Sequence, residues 1–152
     1  MVILVASIEE QLKRIERQLQ PVIDQVLKKQ VAEVVVAEVG RSVKKNVYDV
    51  YDPIRYKRTG KLANPDYIPS ELVSNGLLRV YSDRPAEYSG IEKYDTVAEV
   101  ITYGEGYTWG ENLGRKIGPR PFIDPAVETL AKNKEHVKAM QKGLREKGLD
   151  VR

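Results

Sequence analysis

Cysteine is absent from this chain of 152 residues, and histidine occurs only once. Without cysteine the chain can form no disulfide and no thiolate metal site, which suits a protein made in a reducing cytoplasm. No apolar run approaches the roughly 20 residues that a membrane helix needs. The first residues, MVILVAS, lack the basic segment of a secretory signal, so we expect no signal peptide.

The sequence also lacks the motifs of the common catalytic sites. The single histidine, His136, lies in a lysine-rich segment and is expected to be a surface residue. A serine–histidine–carboxylate triad would require it, and no Gly-x-Ser-x-Gly motif accompanies it. Gly104-Glu105-Gly106 lacks the surrounding pattern of a nucleotide-binding loop. We therefore predict that the protein is not an enzyme and holds no metal ion or cofactor.

The composition is typical of one globular domain, with 41% hydrophobic and 31% charged residues. The net charge of +3 permits contact with nucleic acid without arguing for it. The aromatic residues are nine tyrosines, one phenylalanine and one tryptophan. Because tyrosine joins an apolar ring to a polar tip, this excess favours half-buried positions, either on a wet sheet face or on an assembly surface.

Residues 1–50 are predicted to be mainly helical. Ser7 and Glu10 match a capping box at the start of a helix. The apolar residues behind this cap recur at helical spacing and form one stripe: Ile8, Leu12, Ile15 and Leu19. Pro21 either begins a second helix or kinks a continuous one. The helical period continues through Val34-Val35-Val36, which argues against a strand there.

Residues 51–69 contain three prolines, one glycine and little periodicity, so they are predicted to form a long loop. Its cations, Arg55, Lys57, Arg58 and Lys61, are interleaved with tyrosines. Such a mixture suits contact with phosphate. It equally suits a solvated loop or pairing with a neighbouring subunit.

Residues 70–124 are predicted to form an antiparallel sheet with loops. The turn dipeptide Asn75-Gly76 separates two short apolar segments and predicts a hairpin. Residues 97–103, VAEVITY, are predicted to form the best strand of the chain, with Gly104 at its end. One face of this strand would carry Val97, Glu99, Ile101 and Tyr103, and the other Ala98, Val100 and Thr102.

A final helix is predicted over residues 125–148, with Asp124 as its N-cap, Pro125 at its first position and Gly148 as its C-cap. Its second half is basic. The order of the predicted elements indicates a single α+β domain, in which a long N-terminal helical region and a C-terminal helix pack on a small antiparallel sheet.

Three stretches, taken together and in order, resemble a known family. Arg58-Thr59-Gly60-Lys61-Leu62 follows the helical region, Tyr103-Gly104 ends the predicted strand, and Arg120-Pro121-Phe122 leads into the last helix. This order resembles the tail-completion, or head–tail joining, family of long-tailed bacteriophages. Members of that family show an R-T-G-x-L element, a strand ending in an aromatic–glycine pair, and an R-P-F corner before the C-terminal helix.

The resemblance implies a non-enzymatic virion protein of the phage neck, made in the host cytoplasm and contacting no membrane. Its implied partners are further copies of itself in a ring, commonly a homohexamer, the head–tail connector or stopper, and the tail terminator or tail tube. DNA would pass through the lumen, with non-specific contact there. The implied interface loop comprises Arg55, Tyr56, Lys57, Arg58, Thr59, Gly60 and Lys61. The implied structural anchors are Leu62, Tyr103, Gly104, Arg120, Pro121 and Phe122.

Two other functions are consistent with the residues. A nucleic-acid-binding module would use Arg55, Lys57, Arg58, Lys61 and the basic C-terminal helix, and its affinity would fall steeply with salt. A small enzyme would need a catalytic site of an unfamiliar kind.

Overall fold

One long helix dominates the protein. The computed structural model describes residues 7–50, 59–84, 95–104 and 118–151. Its first part is a continuous helix over residues 8–48, composed of α1 (Ile8–Val26), a π-helical turn (Leu27–Val31), α2 (Ala32–Val43) and a second π-helical turn (Lys44–Tyr48). At 1.5 Å per residue this helix is about 60 Å long. The predicted N-terminal helical region is confirmed, and Pro21 lies inside α1 without ending it.

A local capping box explains the start of this helix, and the positions of two buried valines explain its first π-helical turn. The Ser7 hydroxyl accepts a hydrogen bond from the Glu10 N–H, and the Ser7 N–H donates to the Glu10 carboxylate, each at 3.3 Å. The buried residues Val26 and Val31 are five positions apart. A π-helical turn pairs residues i and i+5, so it brings such a pair closer to one face than an α-helix would.

Short elements follow the long helix. Two 3₁₀-helices (Lys61–Ala63 and Pro65–Tyr67) lie within the predicted loop of residues 51–69, so its described part is more regular than expected. Strands β1 (Ser70–Ser74) and β2 (Leu77–Val80) then form an antiparallel hairpin. Gly76 has a φ of +73° in the turn, where glycine is the favoured residue. The hairpin predicted from Asn75-Gly76 is confirmed.

Asp24 fixes the hairpin to the long helix. Its carboxylate accepts hydrogen bonds from the Gly76 N–H and from the Gln20 side-chain amide, both at 2.8 Å. Because a charged acceptor makes the stronger kind of hydrogen bond, this contact holds the turn against the last turn of α1.

The strand predicted for residues 97–103 is wrong, because this segment is helix α3 (Val97–Tyr103). Thr96 and Glu99 form a capping box, with the Thr96 hydroxyl accepting from the Glu99 N–H at 3.3 Å. The helix also places Ala98 and Ile101, three residues apart, together in the core. The segment is rich in β-branched residues, which favour a strand, but burial on one helical face decides the conformation. Within the described residues, the strands of the predicted 70–124 sheet are β1 and β2.

The predicted C-terminal helix is divided into α4 (Ile123–Asn133) and α5 (Glu135–Glu146). Lys134 lies between them in the left-handed conformation, with a φ of 56°. The Asn133 side chain accepts a hydrogen bond from the Glu135 N–H at 3.0 Å, which begins the second helix. The predicted N-cap is also wrong, since α4 begins at Ile123 and Asp124 lies in its first turn.

The core joins the long helix to the later elements. The long helix contributes Val39, Val43 and Val47. The other buried members are Leu62, Ile68, Ala98, Ile101, Phe122 and Ala126. The two C-terminal helices pack mainly along the long helix, α4 against α2 and α5 against the first π-helical turn. The predicted single α+β domain, with a long N-terminal helix and a small antiparallel sheet, is confirmed.

Gly143 permits the close crossing of α5 over the long helix. A Cβ atom at this position would lie 2.5 Å from Cγ1 of the buried Val26 and 3.2 Å from Cδ of Gln30. We expect Gly143→Ala to lower the free energy of unfolding by about 1 kcal/mol. Overpacking costs about 1–3 kcal/mol, and the helix preference of alanine returns up to about 1 kcal/mol.

Denaturant unfolding measures this change, and Val26→Ala provides the matched background. With the valine methyl groups removed, Gly143→Ala should become neutral or stabilising, because the two positions are in contact. A stabilising effect in the wild-type background would contradict the crossing.

Candidate functional site

The corner at residues 120–122 ties three elements together. Phe122 is fully buried, as predicted, in a core cluster that includes residues of the long helix, α3 and α4, with Val80 of β2 packed against it. Its carbonyl oxygen accepts a hydrogen bond from the Ser42 hydroxyl at 2.5 Å. The Arg120 N–H donates to the Ile101 carbonyl at 2.9 Å, and its guanidinium donates to the Val47 carbonyl at 3.4 Å. Pro121 is exposed between these two buried residues.

Tyr103 and Gly104 end a helix and not the predicted central strand. Gly104 is left-handed, with a φ of 69°, and its N–H donates to the Val100 carbonyl at 3.0 Å. A Cβ atom on Gly104 would lie 2.4 Å from the backbone nitrogen of Pro119. Tyr103 is 56% exposed, so it is not a core anchor.

The described part of the RTGxL element combines an exposed turn with a buried anchor. Gly60 is left-handed, with a φ of 70°, and Thr59 and Lys61 are exposed beside it. Leu62 is only 1% exposed and belongs to the core. The Ala63 N–H donates to the Tyr48 hydroxyl at 3.3 Å, which holds this segment on the long helix. The remaining predicted interface residues, Arg55, Tyr56, Lys57 and Arg58, lie outside the described residues.

The first half of α1 projects from the domain. Every residue from Ser7 to Gln18 is exposed. The apolar stripe predicted here faces solvent, with Ile8, Leu12 and Ile15 exposed by 75%, 54% and 50%. Sequence analysis identified this stripe but not its exposure, because periodicity tells which residues share a face and not what that face meets.

A groove of about 450 Å³ lies between the long helix and the segment that leads into β1. Its apolar lining comprises Ala32, Val36, Ala37, Pro65, Ile68 and Pro69. Lys28, Lys29 and Glu33 border it and are exposed. The sequence carried no signal for this groove, because its two walls are about 30 residues apart along the chain.

Among the described residues, no cluster of histidine, aspartate and glutamate side chains has the arrangement of a metal site. His136 is half-buried on α5 rather than a surface residue. None of the described helices combines the length and the hydrophobicity that crossing a membrane requires.

Comparison with known proteins places the chain in a family. A family model described as YomN matches residues 11–146. The chain belongs to the YomN family. It is 35% identical over 105 residues to the SPbeta prophage-derived protein YomN of Bacillus subtilis strain 168, an alignment that covers 68% of each protein. No solved structure matches the chain. This similarity supports a phage origin, and it does not distinguish a neck protein from other phage proteins.

Proposed function

We propose that this YomN-family protein is a structural virion protein of the phage neck. It is a subunit of a ring, homohexameric by analogy with the family it resembles, that joins the capsid connector or stopper to the tail terminator or tail tube. The ring completes the tail and leaves a lumen through which DNA passes. The order of the RTGxL, aromatic–glycine and RPF motifs supports this assignment, as does kinship with a prophage protein.

The exposed apolar stripe on the first half of α1 is the strongest support for assembly with other subunits. About three helical turns project with apolar side chains in solvent. A helix of this length is marginal in water without packing. In a multi-subunit particle a neighbouring chain covers such a stripe, so the feature favours a subunit of an assembly over a protein that acts alone.

The experiment is deletion of the gene in the phage or prophage that encodes the protein. We expect filled capsids and separate tails by electron microscopy, because the joint between them would be missing. Expression of the wild-type protein in trans should restore joined particles, and mass spectrometry should detect the protein in them.

Joined, infectious particles from the deletion strain would overturn the proposal. The alternative of a nucleic-acid-binding protein predicts such normal particles, together with a purified protein whose affinity for DNA falls steeply as salt is raised.

A further inference from the structure

The exposed stripe of α1 has the form of a helix that binds in a groove. Ile8, Leu12 and Ile15 lie at positions i, i+4 and i+7, the anchor spacing of an amphipathic helix that lays one face on a partner. The stripe continues into Leu19, which is already half-buried against the domain. The unsupported part is therefore a discrete segment, residues 8–18, which we call the projecting helix.

The groove beside Lys28 and Lys29 matches the projecting helix in length. Its helical wall runs from Lys28 to Ala37, about 14 Å at 1.5 Å per residue. The anchors from Ile8 to Ile15 span about 11 Å on the same scale. The groove lining is mostly apolar, so aliphatic anchors would find an apolar surface to contact there.

The charges at the edges of the two surfaces are complementary. Glu9 and Glu16 are seven residues apart, so they lie on the same side of the stripe, and both are exposed. Lys13 lies behind these two glutamates, farther from the stripe, and the other side of the stripe carries the neutral Gln11 and Gln18. Lys28 and Lys29 line the groove at the N-terminal end of its helical wall, Glu33 lines it one turn further on, and all three are exposed, so the lysines leave that end of the groove basic. A helix bound with its acidic side toward these lysines would pair opposite charges, which favours one orientation over the reverse.

The two surfaces cannot meet within one chain. Both belong to the continuous helix of residues 8–48, and Leu12 is about 30 Å from Glu33 along its axis at 1.5 Å per residue. An unbroken helix does not fold back on itself. A contact between the stripe and the groove must therefore join two copies of the protein.

We propose that the projecting helix of one copy binds in the groove of a second copy, which in turn offers its own projecting helix to a third. This head-to-tail contact uses two different surfaces of each subunit, and such contacts close into rings when the rotation between subunits allows it. The inference rests on the proposed ring function, because it names the contact between the ring's subunits.

Engineered cysteines test the contact directly, since the natural chain has none. The double variant Leu12→Cys/Ala37→Cys replaces one exposed residue of the stripe and one of the groove. Under mild oxidation we expect a ladder of disulfide-linked oligomers that extends beyond the dimer on denaturing gels. Each single variant should stop at the dimer.

The matched control is Arg17→Cys/Ala37→Cys, because Arg17 is exposed on the opposite side of α1 from the stripe. We expect at least about tenfold less cross-linking from it, since a disulfide needs Cα atoms within about 7 Å. Equal ladders from both double variants, or none from Leu12→Cys/Ala37→Cys, would overturn the proposed contact. A stable monomer without a ladder would equally overturn it.

Charge exchange tests the orientation. Glu9→Lys/Glu16→Lys should weaken self-association about tenfold or more by analytical ultracentrifugation, and adding Lys28→Glu/Lys29→Glu should restore it. Failure of the restoration would contradict the charge match.

Particle assembly separates this contact from the proposed neck function. If Leu12→Cys/Ala37→Cys forms no ladder but still enters joined particles, the contact is wrong and the neck function stands. If the protein forms the ladder but is absent from particles, the neck function is wrong and the contact stands.

Discussion

Phe122→Ala should reduce the free energy of unfolding by about 3–5 kcal/mol, the usual cost of truncating a buried phenylalanine. Phe122 is 0% exposed and is the largest of the fully buried side chains. It belongs to the core cluster that joins the long helix, α3, α4 and the 3₁₀-helix that carries Leu62. Its removal would therefore leave a cavity where several elements meet, and the surrounding residues could close it only partly.

Chemical denaturation measures the loss, and thermal unfolding should shift by about 6–20 °C for a domain of this size. Phe122→Leu serves as the control, because it keeps most of the apolar volume and should cost markedly less. Similar losses from both variants would mean that the aromatic ring is not what fills this space. Unchanged stability in Phe122→Ala would contradict its position in the core.

Gly104→Ala should cost about 3 kcal/mol or more, for two separate reasons. Gly104 has a φ of 69°, where a residue with a Cβ atom is strained by about 1–2 kcal/mol. The added Cβ would also lie 2.4 Å from the Pro119 nitrogen and 2.5 Å from the Gly118 carbonyl carbon. Because both neighbours are backbone atoms, they cannot move aside as a flexible side chain would, and α3 would separate from the segment that leads to Phe122.

Gly60→Ala separates the two causes. Gly60 has nearly the same φ, +70°, but a Cβ atom there would have no neighbour within 4 Å. We therefore expect Gly60→Ala to lose only the conformational part, about 1–2 kcal/mol. The difference between the two variants in denaturant unfolding then measures the close approach at Pro119. Equal losses would show that this approach contributes nothing to stability.

Local signals were sufficient for several parts of the fold. The capping box of Ser7 and Glu10 marks the start of the long helix, and Asn75-Gly76 marks the hairpin turn. Both depend on residues close together in the chain, which interact in much the same way in any surroundings. The burial of Phe122 also follows from the sequence, since a large apolar ring beside a rigid Pro121 strongly favours the interior.

Other parts depended on contacts between distant segments. Residues 97–103 satisfy both a strand and a helix pattern, and the helix is the form that places Ala98 and Ile101 in the core beside the long helix. The sequence also did not predict the division of the C-terminal helix at Lys134, because the apolar residues of this segment keep the period of one continuous helix. The capping box at Thr96 and Glu99 was a local signal for α3 that the strand pattern obscured.

For the apolar stripe of α1 and the groove, too, some features follow from local sequence and others depend on contacts between distant segments. That Ile8, Leu12 and Ile15 share one face of a helix follows from their spacing alone, because it depends only on helical geometry. The exposure of this face and the apolar groove beside Lys28 and Lys29 depend instead on how distant segments pack. Exposure depends on where the hairpin and the C-terminal helices end along the long helix, and those positions are set by contacts such as Asp24 with Gly76 and Gly143 with Val26.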